Sequence, residues 1–254
     1  SDIDLEGGNF TYTNALDTSE PRYEWHVCPC CVGNIPRTLL SLPTWTYATG
    51  PADLYVNLYV GGATTVRGVA GTDVELVQET DYPWSDRVVL TVNPAEARRF
   101  ALRLRVPYRS VSEIYRSAPA ADGLVSVQVN GEDFLPHAQG FYAVVERDWE
   151  PGDRVELRLR MTVQKVHAIE AVEATRGRVA LRYGPLVYNL ESVDQDVDAA
   201  LAADAKLRAE WMPDLLGGVI AIRGEFADGE PLLAIPNYAR NNRGGRSIVW
   251  IREE

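Results

Sequence analysis

From Leu54 onward the chain alternates apolar and polar residues with a period of two. Leu54, Val56, Leu58 and Val60 fall on one side of an extended strand, and Val74 and Leu76 repeat the pattern before Glu79. Val88–Val92 follows, then a stretch in which Phe100, Leu102, Leu104 and Val106 alternate with Ala101, Arg103 and Arg105. Val125, Val127 and Val129 run into Asn130-Gly131, the strongest short-range signal for a tight hairpin. Phe141–Glu146 continues the pattern, Pro151-Gly152-Asp153 turns the chain, and Val155, Leu157, Leu159, Met161 and Val163 alternate against charged residues. Short strands with one wet face, closely spaced and bounded by turn residues, predict an antiparallel sandwich. A second block of strands begins near Val166: Arg178–Leu181, Leu186–Leu190, Val219–Arg223, Leu232–Ile235 and Ser247–Ile251. Within it, Asp194–Trp211 is acidic and alanine-rich, with Val197, Leu201 and Leu207 at weak helical spacing. It is expected to be a surface insertion.

Only one helix is predicted in the first two thirds. Asn34-Ile35-Pro36 combines a favoured N-cap residue with a proline tolerated in the first turn. Leu39, Leu42, Trp45 and Thr46 then recur at helical spacing, and Gly50-Pro51 ends the element. The expectation is a helix over Asn34–Ala48, packed against the first sandwich. The fold class is therefore mainly β, with two antiparallel, jelly-roll-like sandwich domains at 53–165 and 166–254, after a segment covering 1–52.

Composition narrows the function. The 254 residues carry a net charge of −11, and Lys and Arg are scattered, which argues against nucleic acid or an anionic membrane surface as partner. No apolar run approaches the roughly 20 residues of a membrane helix. Between Asp194 and Glu230 nine acidic residues face three basic ones, so the acid excess is local.

All three cysteines, Cys28, Cys30 and Cys31, sit within four positions. An odd, clustered set cannot build a disulfide framework. The thiols are expected to be reduced, metal-bound or reactive, and reduced cysteines lean toward a cytoplasmic compartment. In an extended conformation Glu24, His26, Cys28 and Cys30 project to one side, and carboxylate, imidazole and thiolate are zinc ligand types. The ordinary structural zinc pattern needs a second, distant ligand pair, and neither His137 nor His167 has a Cys or His neighbour. Buried, inert cysteine is the alternative. Proximity to a helix start favours a reactive thiol, but spacing alone leaves the choice open.

The run YEWHVCPCCVGNIPRTLLSLPTWTYA (23–48), followed by DLYVNLYVGGAT, resembles glycoside hydrolase family 127, the β-L-arabinofuranosidase family. QETDYPWSDRVVLTV, GDRVELRLRMTVQKVHA, GRVALRYGPLVYNLE and AIPNYARNNRG resemble the sandwich domains of that family, in the same order. The resemblance covers nearly the whole chain. Two positions depart from the family pattern: His26 stands where an aromatic is usual, and Val32-Gly33 replaces the usual Pro-x.

The resemblance implies a zinc-dependent retaining glycosidase with a cysteine nucleophile. By position that nucleophile is Cys30, which also ligates zinc. Cys31 is a ligand only, and Cys28 matches a further family cysteine with no ligand role assigned. It also implies that residues 1–52 end a helical-barrel catalytic domain, whose preceding part supplies the acid/base Glu and the remaining zinc ligands. The chain begins at Ser1 without a start Met or signal pattern, so it is expected to be a processed protein or a piece of a longer one. The 254 residues alone are then expected to be inactive, the partners being a carbohydrate substrate and the helical-barrel domain or chain. A homodimer is among the assemblies allowed. The competing readings are a non-catalytic carbohydrate-binding or interface module, with Tyr82, Trp84, Tyr108 and Trp149 as candidate contacts, and a metal or redox sensor built on the cysteines alone.

Overall fold

The structure, a computed structural model, describes residues 2–25, 27, 30, 33–108, 112–121 and 123–254. The chain forms two compact units, one from residues 40–109 and 122–161, the other from residues 1–39, 110–121 and 162–254. The fold is mainly β with antiparallel pairing predominant, as the alternating pattern predicts. No helix of the described residues is long and apolar enough to cross a membrane.

The first unit is a sandwich of two sheets. One has six antiparallel strands in the order Glu132–Phe134, Leu124–Val129, Asp153–Leu159, Arg87–Pro94, Thr72–Thr80 and Gly62–Val69. The other has five: His137–Gln139, Tyr142–Trp149, Arg98–Arg105, Asp53–Val56 and Tyr47–Gly50, with Asp53–Val56 running parallel to Arg98–Arg105. Their inward residues meet in one core. Leu54, Val56, Phe100, Leu102, Leu104, Val145 and Trp149 come from the five-stranded sheet; Val74, Leu76, Leu90, Val92, Val155 and Leu157 come from the six-stranded sheet. Asn130-Gly131 makes the expected hairpin, both residues at positive φ (53° and 84°), with Val129 opposite Glu132. The Asn130 side chain secures it, donating to Asp153 Oδ1 (2.7 Å) and accepting from the Arg154 amide (2.8 Å).

Several expectations need correction. The strand at Asp53 stops at Val56, and Val60 is exposed. A register shift between Leu124 and Ser126 turns Val125 out to solvent while Val127 and Val129 stay buried. The alternation from Val155 to Val163 is broken between two strands, Asp153–Leu159 and Val163–Ala168, which belong to different units. The helix spans Asn34–Thr46 and gives way to the strand Tyr47–Gly50. Of its residues Thr46 is buried, Ile35 and Leu42 are half-buried, and Leu39, Leu40 and Trp45 are exposed.

The second unit is built on a sheet in the order Tyr115–Ala118, Val163–Ala168, Arg178–Tyr183, Leu186–Glu191, Pro231–Pro236, Val219–Glu225 and Arg208–Met212. Ile251–Glu253 adds to Arg178–Tyr183, and Ser247–Ile248 to Leu186–Glu191. Segment 194–211 is part of this fold and not an insertion. Val197 and Leu201 lie in the core, Ala200–Leu201 pairs with Ile251–Glu253, and Arg208–Met212 is the last strand of the sheet. Polar groups hold it as well. Gln195 exchanges two hydrogen bonds with the Leu233 backbone (both 2.8 Å), and buried Lys165 donates to the Ala202 and Ala203 carbonyls (2.7 Å each). A short alternating segment rich in alanine carries too little apolar signal to reveal this from the sequence.

The aromatic residues separate by environment. Trp149 is wholly buried, stacks on Phe100 at 5.7 Å and donates from Nε1 to the Phe100 carbonyl (3.0 Å). Trp149→Ala should therefore cost about 3–5 kcal/mol, seen as a lower denaturant midpoint. Exposed Trp84→Ala should stay within about 0.5 kcal/mol. A wild-type midpoint in Trp149→Ala would contradict this packing.

Candidate functional site

Cys30 lies on the N-terminal segment, and its thiol is exposed. The Tyr12 hydroxyl stands 3.2 Å from its Sγ. Tyr12 is held in turn. Its amide donates to the Tyr23 hydroxyl (3.0 Å), and Phe10 and Tyr23 exchange backbone hydrogen bonds (3.0 and 3.1 Å) with their rings edge to face at 5.1 Å. Phe10–Thr11 pairs with Asp2–Ile3, and the loop between them is closed by Asp4. The Asp4 carboxylate accepts from the Gly8 and Asn9 amides and from Asn9 Nδ2, the last chiefly holding its carboxyl below the usual range.

The C-terminal strands grip this segment at several points. Asp17–Thr18 pairs with Ser247–Ile248, and the Val249 amide donates to the Leu16 carbonyl (2.8 Å). Arg246 makes a two-pronged contact with Asp17 (2.8 Å each) and reaches Asp198. Arg240, buried, donates to the Ala15 carbonyl (3.0 Å) and to Asn14 Oδ1 (3.2 Å). Asn241 Nδ2 donates to the Glu20 carbonyl (2.8 Å), and Asn242 Oδ1 accepts from the Leu5 amide (2.9 Å). The wholly buried Glu191 carboxylate anchors the loop, accepting from the Asn241 amide and pairing with Arg243 at 2.6 Å.

Of the residues singled out in the sequence, Cys30 is placed beside Tyr12, and Glu24 is exposed. His26, Cys28 and Cys31 lie outside the described residues. His137 is exposed on a short strand, and His167 Nε2 meets Glu253 at 2.6 Å, where Glu253 also pairs with Lys165. Among the described residues no three His, Cys, Asp or Glu side chains cluster as metal ligands. Cys30 presents an exposed sulfur, a donor type that zinc takes. Of the four aromatics considered for sugar binding, Trp149 is core and Tyr82 packs against it. Trp84 is exposed, and Tyr108 lies 6.1 Å from the exposed Phe141 ring. Tyr12, Asn14 and Arg240 escaped the sequence reading. The spacing of Tyr12 before the cysteines and the Arg-Asn-Asn run were the available signals, but their meeting is set by the fold.

Comparison with known proteins agrees with this architecture. Residues 53–161 match the model of the "Beta-L-arabinofuranosidase, GH127 middle domain", and residues 163–252 match the "Glycoside hydrolase family 127 C-terminal domain". The fold is that of a glycoside hydrolase's β-rich portion, and the chain belongs to glycoside hydrolase family 127. A curated relative, the non-reducing end β-L-arabinofuranosidase of Bifidobacterium longum subsp. longum, is 32% identical over 245 residues, covering 85% of this chain and 34% of the relative. The solved Ara127N-Se, a family 127 β-L-arabinofuranosidase from Geobacillus stearothermophilus T6, is 34% identical with a TM-score of 0.87, covering 99% of this chain and 44% of that one. A second solved family 127 β-arabinofuranosidase is 30% identical with a TM-score of 0.89, covering 99% and 43%. The chain thus spans about a third of the curated relative and under half of each solved one.

The Arg246 hydrogen bonds, opposed by partial burial, hold the Asp17 carboxyl below the ordinary carboxylate range. A lowered folded pKa contributes stability above the unfolded value, and that contribution is lost as the pH falls through the folded one. Asp17 is half exposed, so the pair is worth under about 1 kcal/mol. Hydrogen exchange at the Val249 amide should quicken a few-fold in Asp17→Asn at neutral pH. The difference in protection between wild type and variant should shrink as the pH falls through the lowered range of the folded Asp17 carboxyl. Exchange identical to wild type would show that this pair does not hold the segment.

Proposed function

We propose that this chain is the C-terminal part of a zinc-dependent retaining glycoside hydrolase whose nucleophile is Cys30. Its substrates are β-L-arabinofuranosides or related plant glycans. The observation that carries the proposal is the Cys30 thiol, exposed and beside the Tyr12 hydroxyl, in a chain of this family. The names of the relatives, arabinofuranosidases in each case cited, support the substrate class.

In the first displacement Cys30 Sγ attacks the anomeric carbon, forming a C–S bond as the bond to the leaving oxygen breaks. The leaving oxygen takes a proton from a general acid. In the second, water delivers its oxygen to the same carbon, its proton passes to that group now acting as base, and the sulfur departs as thiolate. Two inversions give retention, with sulfur standing where glycosidases more commonly use a carboxylate. Zinc, bound through Cys30 and Cys31 with further donors from outside this chain, would keep the sulfur deprotonated and make it a better leaving group. The Tyr12 hydroxyl is placed to donate to the thiolate and orient it. The general acid is assigned to a helical-barrel domain beyond these 254 residues. Exposed Leu39, Leu40 and Trp45 on the helix, with Trp25 and Val27 nearby in sequence, support the idea that such a domain covers this end of the chain.

Pure 254-residue protein should show no turnover of an aryl β-L-arabinofuranoside. Measurable turnover would require an acid within this chain and would remove the two-part site. In the complete enzyme Cys30→Ser should abolish turnover, since a hydroxyl is far less ionised and a poor zinc ligand. Cys31→Ser should lose activity together with zinc and regain part of it in excess metal. Full activity in Cys30→Ser would favour the alternative, a non-catalytic carbohydrate-binding module.

A further inference from the structure

Three consecutive residues near the C-terminus each hold a different part of the segment that leads to Cys30. Arg240 holds Asn14 and Ala15, Asn241 holds Glu20, and Asn242 holds Leu5. Asn241 has a positive φ of 57°, a left-handed conformation that asparagine tolerates better than most residues. Its amide is locked on Glu191 Oε1, and Glu191 is itself fixed by Arg243. Of the three, Arg240 is the most deeply placed, 1% exposed, and its target lies two residues from Tyr12. Tyr12 is the side chain that meets Cys30 Sγ.

We infer that Arg240 is a positioning residue for the cysteine site: by fixing the Ala15 carbonyl and the Asn14 side chain it holds the Tyr12 hydroxyl against Cys30. Residues near the C-terminus then act on the reacting group through a relay of Arg240, Asn14-Ala15, Tyr12 and Cys30. Asn241 and Asn242 brace the same segment on either side. The relay rests on the reading of Cys30 as the reacting group, but its geometry can be tested without turnover.

The test is a double-mutant cycle on the full chain, carried in a Cys28→Ser, Cys31→Ser background so that Cys30 is the single thiol. The readout is the rate of Cys30 alkylation by iodoacetamide at neutral pH, with thermal stability measured in parallel. The Tyr12 hydroxyl, 3.2 Å from Sγ, orients the sulfur, and losing it frees the sulfur to turn away from the reagent. Tyr12→Phe and Arg240→Met should each slow labelling by at least about threefold, and Arg240→Met should add nothing in the Tyr12→Phe background. Should Arg240→Met fail to fold, Asn14→Ala removes one acceptor and leaves the guanidinium on Ala15. It should slow labelling in the same direction and also lose its effect in Tyr12→Phe. Wild-type labelling in the folded Arg240→Met or Asn14→Ala proteins, or effects that multiply with Tyr12→Phe, would make these residues structural only and overturn the relay. Because no turnover is measured, the cycle can succeed even if Cys30→Ser in the complete enzyme stays active, and the reverse also holds.

Discussion

A guanidinium taken out of water has to find acceptors, and Arg240 finds them at Asn14 and Ala15, at the opposite end of the sequence. Leaving a buried cation without partners costs several kcal/mol, so the chain at Asn14-Ala15 is pulled to where the acceptors are needed. Much of the N-terminal arrangement follows from that demand. Neighbouring Asn241 and Asn242 add hydrogen bonds to Glu20 and Leu5, Arg246 adds a charge pair on Asp17, and a two-residue ladder joins Asp17–Thr18 to Ser247–Ile248. A polar segment with few buried apolar side chains thus acquires a defined path, with Tyr12 and Cys30 brought together along it.

Apolar burial does the corresponding work in each unit, but differently in the two. In the first unit the central strands are long, and core residues alternate along them, Val155, Leu157 and Leu159 being an example. In the second unit the core is assembled from shorter pieces. Val197 and Leu201 come from a stretch with little regular structure, fixed by Lys165 on two carbonyls and by Gln195 on Leu233. Polar anchoring substitutes there for the long ladders that the first unit has.

The chemistry proposed for this chain divides along the same lines. The thiol, its tyrosine neighbour and the arginine that steadies them lie within one unit. The acid and the remaining metal donors are assigned to polypeptide beyond it, in keeping with a chain that spans under half of its solved relatives. The exposed apolar residues of the helix Asn34–Thr46 fit a surface that is incomplete by itself.

Period-two alternation was enough to determine that the chain is mainly β, to predict the Asn130-Gly131 hairpin and to locate most long strands. Those features depend on residues close in sequence. The clustered cysteines and their flanks were also enough to point to the family, because their chemistry and order are visible without a fold. What the sequence could not show depends on distant residues meeting. The bulge that turns Val125 outward, the break between Leu159 and Val163 and the burial of Trp149 are decided by the partner strands. So is the capture of segment 194–211 by Lys165 and Gln195. The meeting of Arg240 with Asn14, 226 residues away, is decided the same way, since a buried charge selects its acceptors by proximity in space and leaves no periodic trace along the chain.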